Sequence, residues 1–235
     1  MPAALFIFST ELWFFLSPGT RQGGFLYPFD PGQSIKHLVE SVGVPHTEVG
    51  KVTRNETLSS LDTLAEDGNQ IGIYPNVPGQ AIPAEGPRFV LDNHLGRLAA
   101  YLRMFGFDCI YRNDLQDEEL AQITNQEKRI LLTRDRRLLM RRAVVYGYCL
   151  RSLDSQIQTV EVLKRYNLNG QISPFRRCLR CNTLIEPVRK EAILDRLQPL
   201  TQLYYDEFHL CPTCGHVYWK GSHYKHMLAL MEKIL

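Results

Sequence analysis

Apolar positions along the chain follow two regimes separated by a proline-rich break. Ahead of the break, short apolar runs (ALFIF at 4–8, GFLY at 24–27, QIGIY at 70–74) have the length and composition of strands. One segment spaces Ile35, Leu38, Val39 and Val42 as a single helical face. The break itself, NVPGQAIPAEGP from Asn76 to Pro87, carries Pro78, Pro83 and Pro87 with Gly79 and Gly86, and reads as a linker. Beyond it, strand and helix patterns alternate. FVL (89–91) precedes a helical face of Leu95, Leu98, Ala99, Leu102 and Phe105 closed by Gly106. DCIYR (108–112) precedes a helix opening at Asp117-Glu118-Glu119-Leu120, and RILLT (129–133) precedes a helical RDRRLLMRR. YCLRS (148–152) precedes a helix marked by Ile157, Val160, Leu163 and Lys164 that ends near Asn169-Gly170. After Ser173 the periodicity is lost.

Few strands and one main helix within 76 residues fit a ubiquitin-like β-grasp domain of α+β type. Strands separated by helices over 88–172 predict an α/β domain with a largely parallel sheet. The expected organisation is therefore a β-grasp domain at 1–76, a linker at 77–87, an α/β domain at 88–172 and a small module at 173–235. At roughly 150 residues per domain, the 235 residues suit one or two domains with a small module besides.

No stretch of about 18 uncharged apolar residues occurs, which excludes a spanning helix. The most hydrophobic stretch, Ala3 to Leu16, is broken by Ser9-Thr10-Glu11 and lacks the basic start and small-residue cleavage site of a secretory signal. A cytoplasmic location with no membrane partner is expected. Net charge is +2, unevenly distributed: residues 1–78 carry four Lys/Arg against eight Asp/Glu, 79–169 fourteen against eleven, and 170–235 nine against six. A basic remainder behind an acidic first third points to a polyanionic partner.

Of the six cysteines, Cys109 and Cys149 sit in apolar segments and read as buried thiols. The other four form two C-x-x-C pairs, Cys178/Cys181 and Cys211/Cys214, with 29 residues between. Each short pair supplies two thiolates from one tight turn, and four complete the tetrahedron of a structural Zn²⁺; redox pairs are the alternative. Gly215 and the following VYW suit a ribbon knuckle leading into a strand. With four ligands supplied, His209, His216 and His223 are spare. Arg176, Arg177 and Arg180 flank the first knuckle, to offset the thiolate charge or to contact phosphate.

Carboxylates recur after the strand runs: Asp92, Asp114 and Asp117, Asp135, and Asp154. In a parallel sheet all carboxyl ends share one edge, where ligands bind, so acids up to 62 residues apart are expected on one rim. Clustered carboxylates hold Mg²⁺ or Mn²⁺, which activate water and stabilise a phosphodiester transition state. Aspartate before a helix is equally a favoured N-cap, and the two roles are compatible. Arg134, Arg136, Arg137, Arg141 and Arg142 cluster about Asp135, with Arg137 and Arg141 one turn apart on a helix. Guanidinium forks match phosphate oxygens, whereas Arg136 and Arg142 read as a solvated face.

These segments together (FVLDNHLGRLAAYLRMFGFD, DEEL, RILLTRDRRL, CLRCN and CPTCGHVYWKGSH) resemble the Mut-seven C-terminal RNase family, a PIN-like nuclease fused to a zinc ribbon. The resemblance covers about residues 88–227. Residues 1–76, with SIKHLVESVGVPHTEVGKV and QIGIYP, are similar to the ubiquitin-like domain that precedes it, related to the ThiS and MoaD sulfur carriers. The chain runs on past Pro75 without a terminal Gly-Gly, so carrier activity is not expected.

The resemblance implies that Asp92, Asp117 and Asp135 bind one or two Mg²⁺ or Mn²⁺ ions for RNA hydrolysis. Arg97, Arg103, Arg134 and, from the arginine run, Arg137 would hold the RNA backbone. Asp114, Glu118 and Asp154 match less securely. Trp219 and His223 fall in the matching Y-W-x-G-S-H segment, Trp219 as a base-stacking or a core residue. The expectation is a metal-dependent ribonuclease with RNA, such as tRNA or another structured RNA, as partner, and a protein partner for the N-terminal domain. The rival is a non-catalytic RNA-binding or adaptor protein, favoured by having three secure acids where PIN nucleases commonly offer four. A receiver-like phosphoacceptor explains neither the arginines nor the knuckles.

Overall fold

The computed structural model describes residues 1–235. The N-terminal sheet comprises β1 (Ala3–Phe8), β2 (Phe25–Pro28), β3 (Val49–Arg54), β4 (Thr57–Ser59) and β5 (Gln70–Pro75), in the order β2-β1-β5-β3-β4. Strand β1 is parallel to β5 and the remaining pairs are antiparallel, which is the β-grasp arrangement around one helix. That helix, α1 (Ile35–Ser41), begins where the Ser34 hydroxyl accepts the His37 N–H at 3.3 Å, and it buries Ile35, Leu38 and Val39.

The β3–β4 hairpin carries no clear apolar periodicity. Of β3, VGKVTR, only Val52 is buried, so the apolar signal is faint. Its turn places both Asn55 and Glu56 in the left-handed region, as tight hairpins require, but without the glycine that usually marks such turns.

The second sheet is wholly parallel: β6 (Arg88–Leu91), β7 (Asp108–Ile110), β8 (Ile130–Thr133) and β9 (Gly147–Cys149), ordered β7-β6-β8-β9. Helices α2 (Gly96–Met104), α3 (Asp117–Glu127), α4 (Arg136–Leu139) and α5 (Ser155–Arg165) connect and cover it. Every residue of β8 is buried, as a strand covered on both faces must be. Phe89, Leu91, Ile130, Leu132, Tyr148 and Leu150 face a core shared with α2 and α5. Val90, Leu131 and Cys149 face α3, α4 and the β-grasp domain, whose Phe15, Leu16 and Val44 belong to the same apolar cluster. The two domains thus share one continuous core.

Edge strands expose unpaired backbone groups, and here flanking elements cover them. On β7, the Cys109 N–H donates to Asn182 Oδ1 at 2.9 Å and its carbonyl accepts from Arg103. On β9, the Cys149 N–H donates to Glu48 Oε1 at 2.7 Å and its carbonyl accepts from Arg151. Burial pushes both thiols up, that of Cys149 to about 11, so both stay neutral.

The C-terminal module has β10 (Glu186–Val188), β11 (Phe208–Leu210) and β12 (Val217–Trp219) as an antiparallel sheet, with the short helix α6 (Pro199–Tyr204) before β11.

Four expectations are corrected. The helix in RDRRLLMRR is only the four residues of α4, which leaves Arg141 beyond its end and off any face shared with Arg137. Helix α5 buries Gln158, Thr159, Val162 and Leu163, while Ile157 is 54% exposed. The polar pair is satisfied inside, Gln158 by the Ser152 carbonyl and Thr159 by the Ser155 carbonyl, so burial there needs no apolar residue. A thirteen-residue helix, α7 (Ser222–Ile234), follows the ribbon and returns Met231 and Ile234 to the α/β core. Finally, Arg136 is not a solvated residue. It donates to the Phe14 and Phe15 carbonyls, both at 3.0 Å, and lies over both rings, helping to fasten the β-grasp domain.

Residues 77–87 are laid on α5, with the Gly79 N–H on the Arg165 carbonyl and Ile82 against the core. Gly106, at φ +98°, ends α2 beside Ser173, whose carbonyl would sit 2.1 Å from any added Cβ. No helix is long and apolar enough to cross a membrane.

Candidate metal centres in the ribbon and at the sheet rim

The four knuckle cysteines converge. One sulfur from each lies within 4.8 Å of the others, with Cys178 to Cys214 at 3.5 Å and Cys181 to Cys211 at 3.3 Å. A Zn²⁺ with bonds of about 2.3 Å holds its four sulfurs about 3.8 Å apart, so this donor set fits a structural zinc. Both knuckles are built alike. The residue after each second cysteine, Asn182 or Gly215, takes a left-handed conformation (φ 73° and 71°), which folds the chain back around the metal position. The Cys178 N–H then bonds the Thr183 carbonyl and the Cys211 N–H the His216 carbonyl. The Tyr218 hydroxyl donates to Cys178 Sγ at 3.1 Å and accepts the Leu179 N–H, which orients that sulfur. His209, His216 and His223 lie outside the cluster.

The first knuckle is fastened to the outer edge of β7. Arg103 is 4% exposed and donates to the carbonyls of Cys109, Leu179 and Arg180 at 2.8–3.0 Å. This corrects the expectation that Arg103 holds substrate: its donors are committed inside the protein and no face is left for phosphate. Arg177 is similarly engaged, with the Gly106 and Asn182 carbonyls and with Asp108 at 3.5 Å. Arg176 and Arg180 are exposed.

At the other candidate centre, β6 and β8 are neighbours, but the chain leaves β6 towards β7 and reaches β8 from the opposite side. Their carboxyl ends therefore flank a topological switch point, where such sheets bind ligands. Asp92 follows β6, continuing the ladder through its N–H to the Leu132 carbonyl. Its Oδ2 accepts the Thr133 hydroxyl at 2.6 Å and its Oδ1 the Asn93 N–H at 2.7 Å. Thr133 Oγ1 also accepts the Asp135 N–H at 2.9 Å, so one hydroxyl joins the two rim segments.

Asp135 caps α4 through Oδ1, from the Arg137 and Leu138 N–H groups, and its other oxygen has no protein partner. Asp117 opens α3 behind a Gln116/Glu119 capping box and pairs with Arg141 at 3.3 Å. Arg141 also bonds Glu118 at 2.9 Å, which holds that carboxyl below its usual range. The oxygens of Asp92, Asp117 and Asp135 do not gather within 4.8 Å of one another as the sulfurs do.

The N-cap role is real for Asp135 and Asp154, and is not taken by Asp92 or Asp117; Asp114 pairs with Arg112. Arg97, Arg134 and Arg137 are exposed, and their guanidinium groups make no hydrogen bond or ion pair within the protein. Thr133 escaped the sequence reading because it closes an apolar run as an ordinary strand residue. Tyr111 escaped it too, although its hydroxyl holds the Asn93 carbonyl at 2.8 Å and steadies the loop that carries Asp92.

A doubly wound parallel domain with an acidic switch point, a four-cysteine ribbon and a β-grasp domain in front defines the class of protein. The family model described as the Mut7-C RNAse domain matches residues 87–231, and the one described as Mut7-C ubiquitin matches residues 1–80. The chain belongs to the Mut7-C RNAse domain family. It is 38% identical over 107 residues to the Exonuclease mut-7 homolog of Homo sapiens, an alignment covering 43% of this chain and 12% of that relative. No solved structure matches the chain.

Proposed function

We propose that the chain is a metal-dependent ribonuclease whose centre is the switch point between β6 and β8. The observation that carries this reading is the Thr133 hydroxyl, which donates to the Asp92 carboxylate and accepts the Asp135 backbone N–H, and so sets two segments bearing acids 43 positions apart in sequence side by side on one rim. Asp92 and Asp135 would hold Mg²⁺ or Mn²⁺, with Asp117 as third acid. The donors are hard oxygens, and Asp135 keeps one free of protein partners, as such cations require. A bound divalent ion would supply an activated water and offset the negative charge that grows on the phosphoryl and leaving oxygens.

The chain's own residues do the rest. Thr133 and Asn93 fix the orientation of the Asp92 carboxylate. Arg97, Arg134 and Arg137 offer free guanidinium groups to the RNA backbone. Arg141 pairs with Asp117 and Glu118 and offsets part of their charge.

The test is cleavage of single-stranded RNA by the purified chain with Mn²⁺. Asp135→Asn keeps a good N-cap and so leaves α4 intact, yet is expected to abolish cutting. Equal activity in that variant removes the catalytic role. A non-catalytic RNA-binding role is the second reading, favoured by the Arg141 pairing that occupies Asp117; binding at matched Mn²⁺ without turnover identifies it.

A further inference from the structure

The ribbon and α7 line two adjoining open hollows of about 350 and 430 Å³, within the range of ligand sites. They share the walls Leu179, Tyr218, Trp219, Tyr224 and Met227. This wall is held firmly. The Tyr218 hydroxyl is fixed by Cys178 and Leu179, and Tyr224 packs on Phe175 with ring centroids 4.6 Å apart. Trp219 contacts Phe208 on one side and remains 37% exposed.

Charge selects the occupant. Glu207 is the one acidic residue lining either hollow, and it is paired with Lys220 at 2.7 Å. Arg176, on the first hollow's wall, is exposed and has no ion pair or side-chain hydrogen bond. Rigid aromatic faces beside an unpaired cation suit unstacked bases with a phosphate between them. An aliphatic peptide would leave the arginine unused, and a duplex would bury its base faces away from the rings.

We propose that this double cleft binds a single-stranded segment of RNA, with Trp219 as the stacking platform and Arg176 on the adjoining phosphate. The site would hold substrate on the ribbon, apart from the rim, and the proposal rests on the reading that RNA is the substrate.

The chain has two tryptophans, and Trp13, in the β-grasp domain, donates to the Phe8 carbonyl. The fluorescence difference between the Trp219-bearing chain and its Trp219→Phe variant therefore isolates Trp219 and reports occupancy without any cleavage. The Asp135→Asn full-length chain is titrated with an eight-nucleotide single-stranded RNA of mixed sequence and with the matching duplex. Quenching by the single strand is expected, with a weaker response to the duplex. Adding Trp219→Phe should remove the quench, and Trp219→Ala should weaken binding about tenfold or more. Arg176→Gln should weaken it less and flatten its salt dependence.

Zinc content is measured for each variant. Where Trp219→Ala loses metal, Arg176→Gln, which leaves the packing intact, carries the test. RNA that is cut by the otherwise unaltered chain but neither quenches Trp219 nor responds to either substitution overturns the cleft and leaves the nuclease. Quenching without cleavage by the Trp219-bearing native chain supports the cleft and overturns the nuclease.

Discussion

The cysteine cluster and the rim carboxylates are two sets of side chains of metal-ligating type drawn from distant segments, and they are held in opposite ways. In the ribbon, two tight turns each deliver a pair of sulfurs, so only one relation between knuckles has to be set by the fold. At the rim, three acids arrive singly from β6, α3 and the β8–α4 turn. Two of them, Asp92 and Asp135, are joined through Thr133, while Asp117 is engaged by Arg141. Four sulfurs fill a tetrahedron and leave no open position, whereas separately placed carboxylates depend on supporting residues for their orientation.

The largest effect that tests this contrast is removal of the zinc that the four sulfurs would hold. Structural zinc contributes about 10–16 kcal/mol to folding in small modules. Chelation or Cys211→Ser should therefore unfold the ribbon, exposing it to proteolysis and releasing α7 from the α/β core. A chelated protein with an unchanged proteolytic pattern would contradict a structural role for the metal.

Next in size is the clamp between the two regions. Arg103→Met leaves the carbonyls of Cys109, Leu179 and Arg180 without their donor and should cost about 3 kcal/mol. The loss should appear as a fall in the thermal midpoint of several degrees, and RNA affinity corrected for folded protein should stay constant. A selective loss of RNA affinity in fully folded protein would return Arg103 to the substrate-binding set.

Thr133→Val probes the open site. Loss of an outer hydrogen bond to a metal-binding carboxylate typically costs about 10–100-fold, so the Mn²⁺ concentration for half-maximal cleavage should rise by that order. Thr133→Ser should restore it. Equal metal dependence in all three proteins would reduce the shared hydroxyl to a packing detail.

The smallest effect is a pH dependence at the ribbon–sheet junction. Burial alone would raise the Asp108 pKa, but hydrogen bonds from Arg129 and Asn182 and the charges of Arg129 and Arg177 outweigh it and hold it below its ordinary value. A carboxyl depressed in the folded state stabilises it above the unfolded-state pKa and loses that contribution as pH falls through the folded one. Stability should thus decline below about pH 4. Asp108→Asn should flatten that part of the profile, measured as urea midpoints between pH 6 and pH 3.

Legibility followed the range of the physical signal. The knuckles were read from spacing, because C-x-x-C fixes its own turn, and the strands β6 and β8 were read from apolar runs. The hairpin β3–β4 was not, since a half-exposed strand with a glycine-free turn leaves little pattern. Arg103 and Arg136 are beyond any single-sequence reading. Arg103 lies on a mostly apolar helix and Arg136 in a basic run, and only their carbonyl partners, up to 122 residues away for Arg136, distinguish a structural clamp from a phosphate contact.

By itself the sequence determined the alternation of strand and helix from β6 to α5, the parallel sheet with its acids after strands, and the two cysteine pairs, because each depends on residues close together in the chain. The tertiary structure alone decided that Thr133 joins Asp92 to Asp135, that Glu48 and Asn182 cover the two sheet edges, and that aromatic side chains of the ribbon and α7 form a cleft. Those are relations between segments far apart in sequence, and such distances become short only once packing has brought the segments together.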